Sequence, residues 1–169
     1  MQTTYGDRAA FFAGQQTKTS NVDAVESAFC SVDLSFGVGL ARDLDGSLKQ
    51  VEIPSATGFD FAGVAVHSHT YDNQGLSGTL GIEANEAINL KKGGYAAVRV
   101  DDDVAAAIAG GGSRAVFLRH TANGATNIPG NFRHNADTNR ADEIPGARFT
   151  GRLVGTGAGA LAEIYLNTP

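Results

Sequence analysis

Glycine is the feature that most limits what this chain can fold into: 22 of its 169 residues are glycine, scattered without a fixed period. That is roughly twice the average usage of about 7%. Between the glycines, apolar and polar residues alternate in short runs. The combination reads as many short strands joined by tight turns, because glycine takes positive φ at no steric cost.

Several of these runs can be placed. In residues 29–44, Val32, Leu34 and Phe36 alternate with Ser31, Asp33 and Ser35, the period of a half-buried strand. Asp45-Gly46 is a type I′ hairpin signal, with Leu48, Val51 and Ile53 on the return strand and Pro54 ending it. From Phe59 to His69, one face carries Phe61, Gly63, Ala65, His67 and His69, and the other carries Ala62, Val64 and Val66. Residues 70–85 are glycine-rich and polar and predict an exposed loop. Ala87 to Leu90 and Tyr95 to Val100 predict a strand pair joined across residues 91–94.

One short helix is predicted at 101–109. Asp101, Asp102 and Asp103 would cap it and complement its dipole, and Gly110 would stop it. Ala115 to His120 predicts a strand, and Asn123-Gly124 a turn. Residues 121–144 are polar and asparagine-rich, with no firm strand. Arg148 to Val154 and Leu161 to Leu166 predict a last hairpin. The whole pattern is mainly β, a sandwich or barrel.

At this length the chain suits one domain or a domain with an arm, and a chain of about 150 residues buries roughly 70% of its unfolded surface without a disulfide or metal. Residues 1–25 are polar apart from Phe11-Phe12, which reads as an N-terminal arm ordered against something else or a loose terminus. Residues 26–169 are then a single β-rich domain. The net charge of -5 argues against a nucleic-acid or anionic-membrane surface, which needs clustered Lys and Arg. No apolar run approaches the roughly 20 residues of a membrane helix, and the N-terminus shows no basic and apolar signal pattern. The single Cys30, beside Ala28 and Phe29, cannot form an internal disulfide and reads as a packed thiol, which suggests synthesis in a reducing cytoplasm.

The chemistry-bearing patterns are weak. His67 and His69 share a strand face with Asp72 nearby, but a metal site needs three or four ligands, and His120 and His134 lie in unrelated segments. The run Asp101-Asp102-Asp103 lacks the spaced acidic pattern of a Ca²⁺ loop. Gly155-Thr-Gly157-Ala-Gly159 has the wrong spacing for a dinucleotide loop and is followed by a strand pattern. No Gly-x-Ser-x-Gly elbow is present. No catalytic residue, cofactor or metal is expected, and a small hydrolase using a concealed carboxylate or histidine pair is the remaining enzymatic alternative.

Segments spread over about two thirds of the chain resemble the structural cement proteins that decorate tailed-phage capsids. Tyr5-Gly-Asp-Arg8 and Ala10-Phe11-Phe12-Ala13-Gly14 are similar to that family's N-terminal segment. Phe36-Gly37-Val38-Gly39-Leu40 and Val51-Glu-Ile-Pro54 are similar to its first hairpin. Phe61 through His69 is the most specific match. Leu90-Lys-Lys-Gly93-Gly-Tyr95 through Val100, Pro145 through Phe149 and Leu161 through Asn167 follow in order. The Ala-rich helix with Gly110-Gly-Gly112 and the long polar stretch 121–139 depart from the family pattern.

The resemblance implies a jelly-roll-like or barrel fold on the outer surface of the virion, bound to the major capsid protein of the assembled shell and bridging neighbouring copies of it. Homotrimers or homodimers at local symmetry axes are implied as well, and no catalytic residues. Candidate capsid contacts are Tyr5, Arg8, Phe11, Phe12, His67, His69 and Tyr71. The alternative is a host-attachment or carbohydrate-binding module on the head, with contacts carried by residues 70–85 or 121–139.

Overall fold

Strand follows strand through most of the chain. The structure, a computed structural model, describes residues 11–18, 23–42, 50–67, 81–157 and 159–167. Within these residues run β1 (Ala24–Cys30), β2 (Leu34–Ser35), β3 (Gly39–Arg42), β4 (Gln50–Glu52), β5 (Phe61–Val66), β6 (Gly81–Ile82) and β7 (Ala87–Arg99). Then come the helix α1 (Val104–Ala109), β8 (Ala115–Arg119), β9 (Phe132–Arg133), β10 (Ala141–Val154) and β11 (Leu161–Asn167). Over the described residues the protein is mainly β with one short helix, as the sequence predicts.

Nine of the strands join in the order β1-β4-β3-β5-β7-β11-β10-β8-β9, and β1 also pairs with β7. The first five therefore close into a hydrogen-bonded ring. A second ring runs from β7 through β11, β10, β8 and β9, and closes through a parallel bridge between Val100 and Phe132. There the Asp101 N–H donates to the Phe132 carbonyl at 3.1 Å. Closure leaves few bare edges for stray pairing. Of the sandwich and the barrel, ring closure favours the barrel. Each ring encloses its own core. Leu34, Phe36, Leu40, Val51, Ile88 and Leu90 pack in the first. Val98, Leu118, Phe132, Phe149, Ile164 and Leu166 pack in the second, with Val104 and Ile108 of α1.

β7 is the shared wall, and it is where the structure departs most from the sequence reading. The expected strand pair across 91–94 is one continuous strand of 13 residues. Lys91 does not mark a turn; it is fully buried, and its ammonium meets Asp23 at 2.8 Å and Gln16 at 3.0 Å. Gly94 has φ 84°, and a Cβ on it would run into the Asp23 carboxylate, so glycine there admits a neighbour within a continuous, bulged strand. β7 pairs with β1 over residues 87–93, with β5 over residues 89–91 and with β11 over residues 93–99; β1 and β11 both partner Gly93 and so take opposite edges.

Residues 14–15 and Gly37 add backbone bonds to the last residues of β7. The Gly14 N–H donates to the Ala97 carbonyl (2.8 Å), the Ala97 N–H to the Gln15 carbonyl (2.9 Å), and the Arg99 N–H to the Gly37 carbonyl (2.9 Å). The His67 N–H reaches back to the Gly14 carbonyl at 3.1 Å. Gly14 has φ 75°, and a Cβ on it would lie 2.9 Å from both the Ala65 carbonyl oxygen and the Phe36 Cβ. Only glycine fits. Residues 11–18 are thus inlaid in the sheet by their own domain, a contribution made through backbone bonds that polar composition conceals.

Other differences have local causes. The first strand starts at Ala24, and the chain turns after Cys30, which leaves Val32 exposed while Leu34 and Phe36 stay buried. The last hairpin is as expected, Val154 facing Leu161, but β10 reaches back to Ala141 and pairs there with β8. The helix begins at Val104, and Asp103 makes no side-chain capping bond. β3 and β4 pair antiparallel; the Asp45-Gly46 signal and Leu48 between them, and most of the expected 70–85 loop, fall outside the described residues.

Candidate docking pocket and a buried ion network

Adjacent phenylalanines in the inlaid segment point opposite ways. Phe11 turns inward, 7% exposed, with the Arg152 guanidinium 5.6 Å from its ring centre. Phe12 turns outward and is 55% exposed. Its ring forms one wall of an open cavity of about 350 Å³, completed by Ala13, Phe36, His67 and Arg99.

Each wall is held by a different part of the fold. Phe36 precedes the tight Gly37 turn into β3, His67 follows β5, and Arg99 ends β7. The His67 ring meets Phe12 edge-on at 5.7 Å and Phe36 at 5.0 Å. Arg99 donates from Nε to the Phe36 carbonyl at 3.0 Å, which fixes the guanidinium plane beside the rings. Among the described residues no carboxylate pairs with Arg99, nor with Arg114, Arg140 or Arg148, whereas Arg42, Arg119, Arg133 and Arg152 have acidic partners. The cavity therefore offers aromatic surface beside a cation that has no carboxylate partner among the described residues.

Of the sequence-predicted contact residues, the structure brings Phe12 and His67 together and buries Phe11. Tyr5, Arg8, His69 and Tyr71 lie outside the described residues, as does Asp72. Phe36 and Arg99 were not singled out in the sequence. Phe36 reads there as a core residue, and the available signal for Arg99 was a lone basic residue in the Val98-Arg99-Val100 alternation. A second apolar strip, Val25 and Phe29, lies on the outer face of β1, both about half exposed.

Of the aspartate run at 101–103, Asp103 takes the N-cap position of α1 without a side-chain capping bond, and Asp101 does something else. Asp101 is fully buried, and its Oδ2 accepts from Arg119 Nε at 2.8 Å and Arg133 Nη1 at 2.7 Å. Arg119 also donates to Asp137 at 2.6 Å and to the Thr121 carbonyl at 2.8 Å. Arg133 reaches Asp103 at 3.3 Å and Asn135 at 2.7 Å. Burial pushes the Asp101 carboxyl above its ordinary value, opposed by the two guanidiniums. The Arg119 hydrogen bond holds Asp137 below its own. The network ties the polar stretch 121–139 to the end of the second ring.

Among the described residues no other cluster resembles a reactive site. Among the described residues no group of three or more His, Cys, Asp or Glu side chains is placed to hold a metal ion. Nor is any described helix long and apolar enough to cross a membrane. Cys30 is buried, its thiol donating to the Glu83 carbonyl at 3.0 Å, and burial pushes the thiol up. The glycines at 155, 157 and 159 lie between β10 and β11, with β11 following directly.

Comparison with known proteins adds three findings. The model of a family described as structural cement protein (E217 gp24/Pam3 gp6) matches residues 1–167. No curated protein matches the chain. Among solved structures, a chain in "The capsid of Myoviridae Phage XM1" aligns with a TM-score of 0.66 at 17% identity, over 98% of this chain and 95% of that one. At that identity the likeness is one of fold.

Proposed function

The chain belongs to the structural cement protein family, and from that premise we propose that it binds the outer surface of an assembled phage capsid and stabilises it by bridging neighbouring major capsid proteins. The observation that carries this reading is the family match, which spans nearly the whole chain. The protein acts as a binding and mechanical element on the virion, without catalysis or cofactor, after synthesis in the host cytoplasm. It assembles with copies of itself as a trimer or dimer.

The geometry suits such work. A twin-ring domain with two cores is a stiff block, and Phe12 on one face and the Val25–Phe29 strip on another offer separate apolar contacts. Modest contacts repeated at every lattice position make a shell coherent through multivalency. The composite site exists only where capsid subunits meet. Sedimentation with expanded heads of the cognate phage, and separately with its unassembled major capsid protein, tests this. Binding to heads alone is expected; equal binding to both would sink the proposal.

A further inference from the structure

Resting on that capsid-binding reading, we infer that the Phe12 cavity is a socket for a segment of the shell protein that presents an apolar side chain next to a carboxylate. Its walls supply complementary chemistry from three elements. Phe12 and Phe36 offer ring faces, and the His67 ring closes one side at 5.7 and 5.0 Å from them. Arg99 supplies the charge.

Two observations favour an acidic occupant over a purely apolar one. Arg99 is fixed through Nε by a backbone carbonyl, so its orientation is set by the fold and not by an acidic neighbour. No described carboxylate neutralises it, although the chain as a whole carries a net charge of -5. A guanidinium held rigidly, flanked by aromatic surface, recognises a carboxylate through charge-assisted hydrogen bonds, while the adjoining cavity removes an apolar side chain from water. The cavity volume of about 350 Å³ accommodates one large side chain with room for its backbone. Phe12, the most exposed large apolar side chain of the described residues, then becomes covered on binding.

The test uses the full chain and heads of the cognate phage lacking this protein, with occupancy read by co-sedimentation across protein and salt concentration. Phe12→Ala and Arg99→Gln are each expected to weaken head binding by about tenfold or more. Arg99→Lys keeps the charge but not the planar fork and is expected to fall between. Ile128→Ala, an exposed apolar residue away from the cavity, is expected to bind as wild type. Salt weakens the wild type, and Arg99→Gln loses much of that dependence.

If wild type binds heads and both Phe12→Ala and Arg99→Gln bind equally well, the socket is refuted while the cement reading stands. If wild type binds no heads at all, the cement reading itself fails. Light scattering separates a third case: a variant that loses self-association before head binding assigns the cavity to a second copy of this chain and overturns the inference. Thermal melting confirms that each variant is folded, and Phe12→Ala, whose ring is exposed, reads the socket independently should Arg99→Gln unfold.

Discussion

Replacing Asp101 by Asn tests whether the buried ion network holds the second ring together. The substitution keeps size and shape and removes one charge. In the native protein Asp101 Oδ2 receives guanidinium donors at 2.8 and 2.7 Å from two arginines that are themselves buried. Removing one partner of a buried ion pair costs about 3–5 kcal/mol, because the remaining charge is left without compensation. Here the loss is softened, since Arg119 keeps Asp137 at 2.6 Å and Arg133 keeps Asn135 at 2.7 Å. The expected destabilisation is about 3 kcal/mol, a fall in melting temperature of about 6–12 °C for a domain of this size. Asp103→Asn is the matched control: the same chemistry on a half-exposed carboxylate 3.3 Å from Arg133, worth less than about 1 kcal/mol. Urea unfolding measures both, and the midpoint should shift for Asp101→Asn with the slope unchanged. A loss at Asp101 below about 1 kcal/mol, or equal losses at the two sites, would refute the reasoning.

Further outcomes follow from single contacts. Phe11→Ala is expected to cost about 3 kcal/mol and Phe12→Ala little, read by the same unfolding curves, since only Phe11 is buried. Gly14→Ala combines a φ of 75° with contacts at 2.9 Å and should destabilise well beyond Gly58→Ala, whose φ is also 75° but whose surroundings are empty; equal effects would show that the inlaid segment bears no weight. Three carboxyls lie below their ordinary values: Asp137 through Arg119, Glu26 through Lys92, and Glu163, where burial is outweighed by the Thr150 hydroxyl and the charges of Arg152 and Lys18. Each takes up its proton more readily unfolded, so the stability they contribute is complete above about pH 5 and is lost as the pH falls through about 4 and below, while Asp101, raised by burial, opposes that trend. Melting temperature should therefore drop on acidification, and less steeply in Asp137→Asn. Cys30 should resist a thiol reagent in the native state and react fully in denaturant; prompt native reaction would contradict its burial.

How far the sequence disclosed this depended on which physical signal each element carried. Val51 to Pro54, Phe61 to Val66 and the last hairpin were legible because apolar periodicity and turn chemistry agree there. β7 was not, because Lys91-Lys92-Gly93-Gly94 has the composition of a turn. Lys91 is buried only because Asp23, sixty-eight residues earlier, supplies a carboxylate, and no local pattern reveals a partner so distant. The same holds for Asp101, whose arginines stand 18 and 32 positions away; adjacent to a helix, an aspartate run reads as a cap. For the docking pocket, Phe12 and His67 carried a signal through the family resemblance. Arg99 carried almost none, since its meaning comes from having no carboxylate partner among the described residues.

The shared strand is what makes these pieces act together. Because β7 belongs to both rings, opening either one strips hydrogen-bond partners from a wall the other needs, so the two cores are expected to unfold as one cooperative unit. The candidate socket lies along this strand: Arg99 is its last residue, and Gly14 and Gln15, beside Phe12, bond to Ala97 on its edge. A load applied at Phe12 thus enters the sheet at the seam and is divided between the two rings. It does not fall on a terminal strand that could peel. An attachment point placed on a free edge would fail by local opening at far lower cost than the global stability. Placed at the seam, as proposed, it would draw on the stability of the whole domain, the mechanical property that the proposed bracing of a capsid requires.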